Sequence, residues 1–236
     1  MSGSAADHQP RRRALLVAAM ACGAGMVLPA GARSDGPLAH GARMTADFDP
    51  VAAIWLGYDA GHEAFTADLA QALWPHVPIR MLVRDAEAEG LARAVLRGRG
   101  LDADKVRFVH DARAPFFVRD AVVFGLDGGR QPFVVDFRWT YYGWSNWCRR
   151  TFRGSQPRPE SCARADGLDT GSLDRRFGDA LGLATFQSAL AIEGGGVEVN
   201  GQGLLIANAE LWSSRNRNMG LAAMEREMLR LPGIRK

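Results

Sequence analysis

From about residue 50 the apolar positions switch between two periods, and the switching predicts strand, helix, strand. "VAAIWLGY" (51–58) is a β-rich run. In "HEAFTADLAQALW" (62–74), Phe65, Leu69 and Leu73 recur four apart, which predicts one apolar helical face. Pro75 and Pro78 end that helix. "VPIRMLV" (77–83) predicts a second strand. Asp85 is placed to cap a helix that runs through Leu91 and Val95 and stops at Gly98. "KVRFVH" (105–110) predicts a third strand. "FFVRDAVVFGL" and "PFVVDFRWT" are two more β-rich runs, flanking Asp127-Gly128-Gly129, a hairpin signal. Residues 143–169 are polar, with Gly, Pro and Arg, and read as a long loop or insertion. Ser172 can cap a helix in "LDRRFGDALGL". "ALAIEGGGVEVNGQGLLIA" predicts two strands joined across Asn200-Gly201. A last helix, "GLAAMEREMLRL" (220–231), precedes Pro232.

Two segments share one order. "IWLGYDAGHEAFTADLAQALWPHVPIRMLV" reads strand, loop, helix, Pro, strand, and "GLLIANAELWSSRNRNMGLAAMEREMLRLPGIRK" repeats it up to a Pro-x-Ile-Arg. A helix in such a unit buries its apolar face against the strand that follows. The repeat therefore raises the expectation of a fold that stops partway, against the alternative of a last helix that packs terminally.

The N-terminus has a different character. Arg11-Arg12-Arg13 precede an apolar run at 14–28 too short to span a bilayer comfortably, and "AGA" at 30–32 offers small residues for cleavage. Residues 1–32 are expected to be an export signal, close to the twin-arginine type, with 33–44 a linker and a periplasmic or secreted destination. Without 1–32, which hold three Arg and one Asp, the net charge falls from +3 to about +1. All basic residues but Lys105 and Lys236 are arginines, scattered rather than striped, which does not read as a phosphate-binding face; no nucleic acid partner is expected and, for the mature form, no membrane. Cys148 and Cys162 would then meet an oxidising compartment, where they can close a loop worth about 3 kcal/mol or remain free thiols. Neither stands in a zinc pattern, and no metal or cofactor is expected.

Candidate chemistry lies in three clusters. "APFFVRDAVVF" (114–124) spends two adjacent charges, Arg119 and Asp120, inside an apolar run. A buried carboxylate is costly unless paired, so Asp120 either completes a salt bridge or awaits a cationic ligand. "VVDFRWTYYGW" (134–144) is dense in aromatics around Asp136 and Arg138. "IEGGGVEVNGQG" (192–203) sets Glu193 beside three glycines. With no lysine following and a hairpin turn nearby, those glycines allow close approach of backbone or substrate rather than cradling a phosphate. Two carboxylates can bracket a planar guanidinium, with aromatic rings on its face. Glu193 could equally end in a buried ion pair with an arginine.

In this order, "FFVRDAVVF", "VVDFRWTYYGW" and "IEGGGVEVNGQGLLIANAELWSSRNRN" resemble the agmatine deiminase and bacterial-type peptidylarginine deiminase family over most of residues 45–236. Ala121 departs from the family's Thr, Trp144 stands where Gly-Gly is usual, Leu211-Trp212 replace Cys-Leu, and 143–169 is long. The resemblance implies an α/β fold: a partial, pentein-like α/β-propeller of repeated ββαβ modules, truncated before ring closure. It implies hydrolysis of a guanidine to a urea with release of ammonia, on agmatine or an arginyl group. By motif, Asp120 and Glu193 hold the guanidinium, and Arg138, Trp139, Trp144, Gly194 and Gly195 line the substrate. Arg138 is expected to pair with Asp136 rather than to meet substrate. The family's Gly-His-x-Asp has no counterpart in this sequence: His62 follows Gly61, but "GHEA" lacks the Asp and precedes the Arg-Asp segment. No cysteine follows the Glu-Gly-Gly block. These residues are therefore expected to be inactive alone, against the alternatives of a non-catalytic guanidinium-binding exported module or a structural domain whose acids pair with arginines.

Overall fold

The computed structural model describes residues 38, 40–128, 130–154, 159–163, 173–208 and 215–236. The export signal at 1–32, the Ser172 cap and Leu211-Trp212 lie outside these residues.

The first sheet is built from β2 (Ile54–Gly57), β3 (Ile79–Val83) and β4 (Arg107–His110), all parallel with β3 central. A central parallel strand is covered on both faces, which is why "IRMLV" is almost wholly apolar. Ile79, Met81 and Val83 face one way, into a core with Leu56, Ala92 and Leu96. Leu82 faces the other, against Val118, Val134 and Phe177. The helices α1 (Glu63–Leu73) and α2 (Ala86–Gly98) cover the first face. Asp85 caps α2 as expected, its side chain accepting from the Ala88 N–H at 2.8 Å. On α1 the buried stripe is Thr66, Ala67 and Ala70, with Leu69 and Leu73 on its flank. Phe65 instead is 59% exposed and leans toward Phe116, their ring centroids 6.0 Å apart.

The second sheet runs β1 (Arg43–Met44), β5 (Val123–Leu126), β6 (Pro132–Asp136), β7 (Ala184–Gln187). β5 and β6 form the expected antiparallel hairpin, and β7 joins β6 in parallel after the helix α5 (Leu173–Leu181). This is one ββαβ unit. A second pair, β8 (Val197–Val199) and β9 (Leu205–Ala207), is antiparallel across a turn in which Asn200 Oδ1 accepts from the Gln202 and Leu204 N–H groups. After α6 (Leu221–Leu229) the chain returns to β9: Lys236 N–H donates to the Gly203 carbonyl at 3.0 Å, and Leu205 N–H donates to the Lys236 carbonyl at 2.9 Å. Two such bonds straddling one residue are the parallel pattern. The β9–α6–Lys236 segment thus copies β2–α1–β3, as the internal likeness anticipates. Met224 and Met228 of α6 join Phe133, Val135, Ile192 and Val197 in a second core.

Two expectations need correction. "FFVRDAVVFGL" is not one strand: Val118–Ala121 form the helical turn α3 before β5 starts at Val123. The 143–169 stretch is not all loop either, since α4 spans Trp144–Thr151 and a disulfide joins Cys148 to Cys162. The likeness of β2–α1–β3 to β9–α6–Lys236 reflects packing: each helix puts its apolar side on its own parallel pair.

Candidate functional site

The loop after β6 carries three consecutive residues in the left-handed region: Tyr141 (φ 48), Tyr142 (φ 57) and Gly143 (φ 74). For an aromatic residue this conformation costs about 1–2 kcal/mol. The strain aims a side chain. Tyr142 Oη donates to Asp120 Oδ2 at 2.8 Å, and its ring lies edge-on to Trp139 with centroids 4.9 Å apart. Burial, and then the Asp120 bond and charge, push the Tyr142 phenol well above its ordinary range, so it stays a donor.

Asp120 sits on α3. Its Oδ1 accepts from the Gly195 N–H at 3.1 Å. The 3-10 turn Gly194–Gly196 packs directly on α3, and glycine is required there twice. A Cβ on Gly194 would run into the Arg119 carbonyl, and one on Gly195 into Asp120 Oδ1. Arg119, next to Asp120 in sequence, turns elsewhere: it pairs with Asp47 at 2.5 Å and with Glu198 at 3.6 Å. The adjacent charges are therefore not partners.

Glu193 precedes the same turn and is paired. Arg215 Nε donates to Glu193 Oε1 at 2.5 Å, with the two side chains only 9% and 6% exposed, respectively. The Arg215 guanidinium lies over Gly143: a Cβ there would stand 3.5 Å from Nη1 and 3.6 Å from Cζ. Asp120, Tyr142, Gly143, Arg215, Glu193 and Gly195 thus form one connected cluster, and the fold brings the two predicted carboxylates to it. An open cleft of about 410 Å³ reaches Asp120 between α1 and the Phe116-Phe117 corner, lined by Trp55, Phe65, Phe116 and Phe117. Gly57 makes that corner possible, since a Cβ would strike the Pro115 and Phe116 carbonyls.

Other predicted positions fall differently. Asp136 does not pair with Arg138. It is 4% exposed and takes Arg175 Nε at 3.2 Å, while its Oδ1 has no partner among the described residues. The reason is direction: Arg138 leaves the strand end toward solvent and has no side-chain partner among the described residues. Trp139 is no wall but core, 2% exposed against Ala121 and Leu173, where it backs Tyr142. Trp144 is 44% exposed and stacks on Trp147 in α4, with centroids 4.9 Å apart. The aromatic lining comes instead from Phe65, Phe116 and Phe117.

Sequence reasoning missed Tyr142, Arg215 and Asp174. Asp174 is 2% exposed and accepts from the Val123 N–H at 3.0 Å and the Phe137 N–H at 3.3 Å, pinning the strand ends beside the site. Burial pushes its carboxyl well above the usual range, and the neighbouring Asp136 adds to the shift. Asp136 is also raised, by burial opposed by Arg175. The glycine after Tyr142 was the one local hint of left-handed backbone.

Strand–helix units around a carboxylate cluster beside a strained loop define the class: an α/β protein with mixed sheets. Residues 43–236 match the Porphyromonas-type peptidyl-arginine deiminase family, and the chain belongs to it. An agmatine deiminase of Ectopseudomonas mendocina (strain ymp) is 29% identical over 204 residues, 81% of this chain and 50% of that protein. The chain thus spans about half the length of the curated relatives it matches. In fold it resembles a candidate agmatine deiminase solved by structural genomics, with a TM-score of 0.61 at 19% identity over 82% of this chain and 53% of that one. A C. jejuni agmatine deiminase solved with substrate bound, in a cysteine-to-serine variant, gives a TM-score of 0.55 at 12% identity over 82% and 54%.

Proposed function

We propose that these residues form the guanidinium-holding part of a deiminase-type hydrolase, which converts a guanidine to a urea and ammonia. Asp120 and Glu193 orient the planar cation and offset its charge, and the Phe65–Phe116–Phe117 cleft takes the aliphatic body of agmatine or an arginyl side chain. The observation that carries the reading is the gathering of both carboxylates around Tyr142, in a chain whose family acts on such groups. Among the described residues Asp120 accepts from two neutral donors, Tyr142 Oη and the Gly195 N–H.

The 236 residues hold no Gly-His-x-Asp, and Cys148 and Cys162 are joined to each other. The third cysteine, Cys22, lies within 1–32, and none follows the Glu-Gly-Gly block where the family's nucleophile falls, so the covalent route to an amidino-enzyme is closed to these residues. They therefore bind without turnover, which equally suits a non-catalytic guanidinium-binding module. The ββαβ units suit a partial propeller. The Cys148–Cys162 bond favours the exported location that residues 1–32 suggest, since such bonds persist in oxidising compartments.

Calorimetry with agmatine on the full chain and on Asp120→Asn tests the binding, with an ammonia assay alongside. Binding that is lost in the variant, with no ammonia from either, supports the reading. Agmatine heats absent from both, or unchanged by the substitution, overturn it, and robust ammonia release by the chain alone overturns the inactivity.

A further inference from the structure

We infer that Glu193 heads a guanidinium seat that the chain fills with its own Arg215, so that Arg215 competes with any guanidinium ligand for that carboxylate. This rests on the reading of Glu193 as a cation-holding group and adds what occupies it.

Three observations meet here. The Arg215–Glu193 pair is close and almost wholly enclosed, 2.5 Å with both side chains less than a tenth exposed. A buried carboxylate that accepts one N–H of an arginine in this way can accept the same bond from a free guanidinium, because the recognised group is identical. Next, the face of the seat is glycine: Gly143, with a left-handed φ of 74, presents bare backbone beside Arg215, whose Cγ would stand 3.4 Å from a Cβ there. Last, the backbone under Arg215 is fixed independently of the pair. Asn216 Oδ1 accepts from the Ala191 N–H at 2.8 Å, and Asn216 Nδ2 donates to the Ala191 carbonyl at 2.8 Å. Arg215 can thus swing out by side-chain rotation while the segment stays docked two residues from Glu193. Tyr142, next to Gly143 in the chain, occupies Asp120 with its phenol at 2.8 Å. Each carboxylate has an internal occupant, and a ligand must displace both.

Emptying the seat should let a small guanidinium in. Methylguanidinium titrated calorimetrically into the full chain should bind Arg215→Ala about 10- to 100-fold more tightly than wild type, the range of one charge-assisted hydrogen bond. Methylammonium, which lacks the planar fork, should not show the gain, and Arg215→Ala combined with Glu193→Gln should lose it. A folded Arg215→Ala chain, judged by near-ultraviolet circular dichroism, that binds methylguanidinium no better than wild type overturns the inference. Should that variant fail to fold, the wild type decides: the Arg215 Nε–H, followed by nitrogen-15 NMR, should exchange far more slowly than free arginine, and Glu193→Gln should abolish that protection. Exchange at the free rate overturns the inference. A seat that takes methylguanidinium while agmatine binds nowhere would leave this inference standing and remove the substrate reading instead.

Discussion

The β2–β3–β4 layer and the cluster around Asp120 treat charge and backbone in opposite ways. In the layer, charges stay at the rim. Arg93 meets Glu89 at 2.7 Å and Arg97 meets Asp104 at 3.0 Å on the outer face of α2 and the turn beyond it, where each pair is worth about 0–1 kcal/mol. The interior is Met81, Leu82, Val83 and Leu96. Around Asp120, Glu193 is enclosed with its arginine, two tyrosines are left-handed, and glycines sit where a single methyl group would collide. The first region keeps most local rules, with Gly57 and the exposed Phe65 the exceptions where it meets the cleft. The second violates several at once and is held against the first through Leu82 and Val109, which pack with Val118 and Val122. Such concentrated violation is the physical mark of a site selected for something besides stability.

The sharpest way to break that contrast is to strip one partner from the enclosed pair. Glu193→Ala should destabilise the chain by about 3–5 kcal/mol in urea unfolding, because the enclosed Arg215 loses its carboxylate partner. Replacing both, with Glu193→Leu and Arg215→Met, should recover most of the loss. A single-variant cost near that of a rim pair would show that water reaches the cluster and the contrast is false.

Glycines come next. Gly194→Ala must push against the Arg119 carbonyl and the Val123 methyl, and should cost about 1–3 kcal/mol. Gly90→Ala on α2 meets nothing within 4 Å and should instead stabilise by about 0.5–1 kcal/mol. Thermal melts of the two variants should therefore move in opposite directions; movement in one direction would deny that the site pays a steric penalty the layer does not.

The smallest effect is linked to pH. Asp174 is raised in the folded state by burial, so the native chain holds its proton more tightly than the unfolded chain does. Its favourable contribution is fully present below the unfolded carboxyl range, about pH 4, and is lost as pH rises through the higher native value. Asp174→Asn removes that dependence. The melting temperature of wild type minus that of Asp174→Asn should grow as pH falls from 7 toward 4.5, and a flat difference would contradict the assignment.

Legibility in the sequence followed the same division. The Asp85 cap, the buried run of β3 and the Asn200 turn all obey local rules, and each was readable. The α3 turn was not, because four residues are too few for a 3.6-residue period to show against β-branched neighbours. α4 hid inside a polar stretch, although Trp144, Trp147, Cys148 and Thr151 keep helical spacing. Asp120 and Glu193 could be named from their motifs, and an arginine partner for Glu193 was an open alternative, but which residues meet them was not readable. Tyr142 meets Asp120 only because of a left-handed backbone, and Arg215 reaches Glu193 from a separate segment. Trp139 shows the converse: an aromatic in a motif-rich run looks like lining when its role is support.

The convergence of two carboxylates on one cation is tested most directly by a crystal structure of the full chain grown with agmatine. A single guanidinium should make N–H···O bonds of about 2.7–2.9 Å to both Asp120 and Glu193, with Tyr142 and Arg215 turned away from them. Agmatine bound to one carboxylate alone, or lodged elsewhere with the Arg215–Glu193 pair undisturbed, would contradict it.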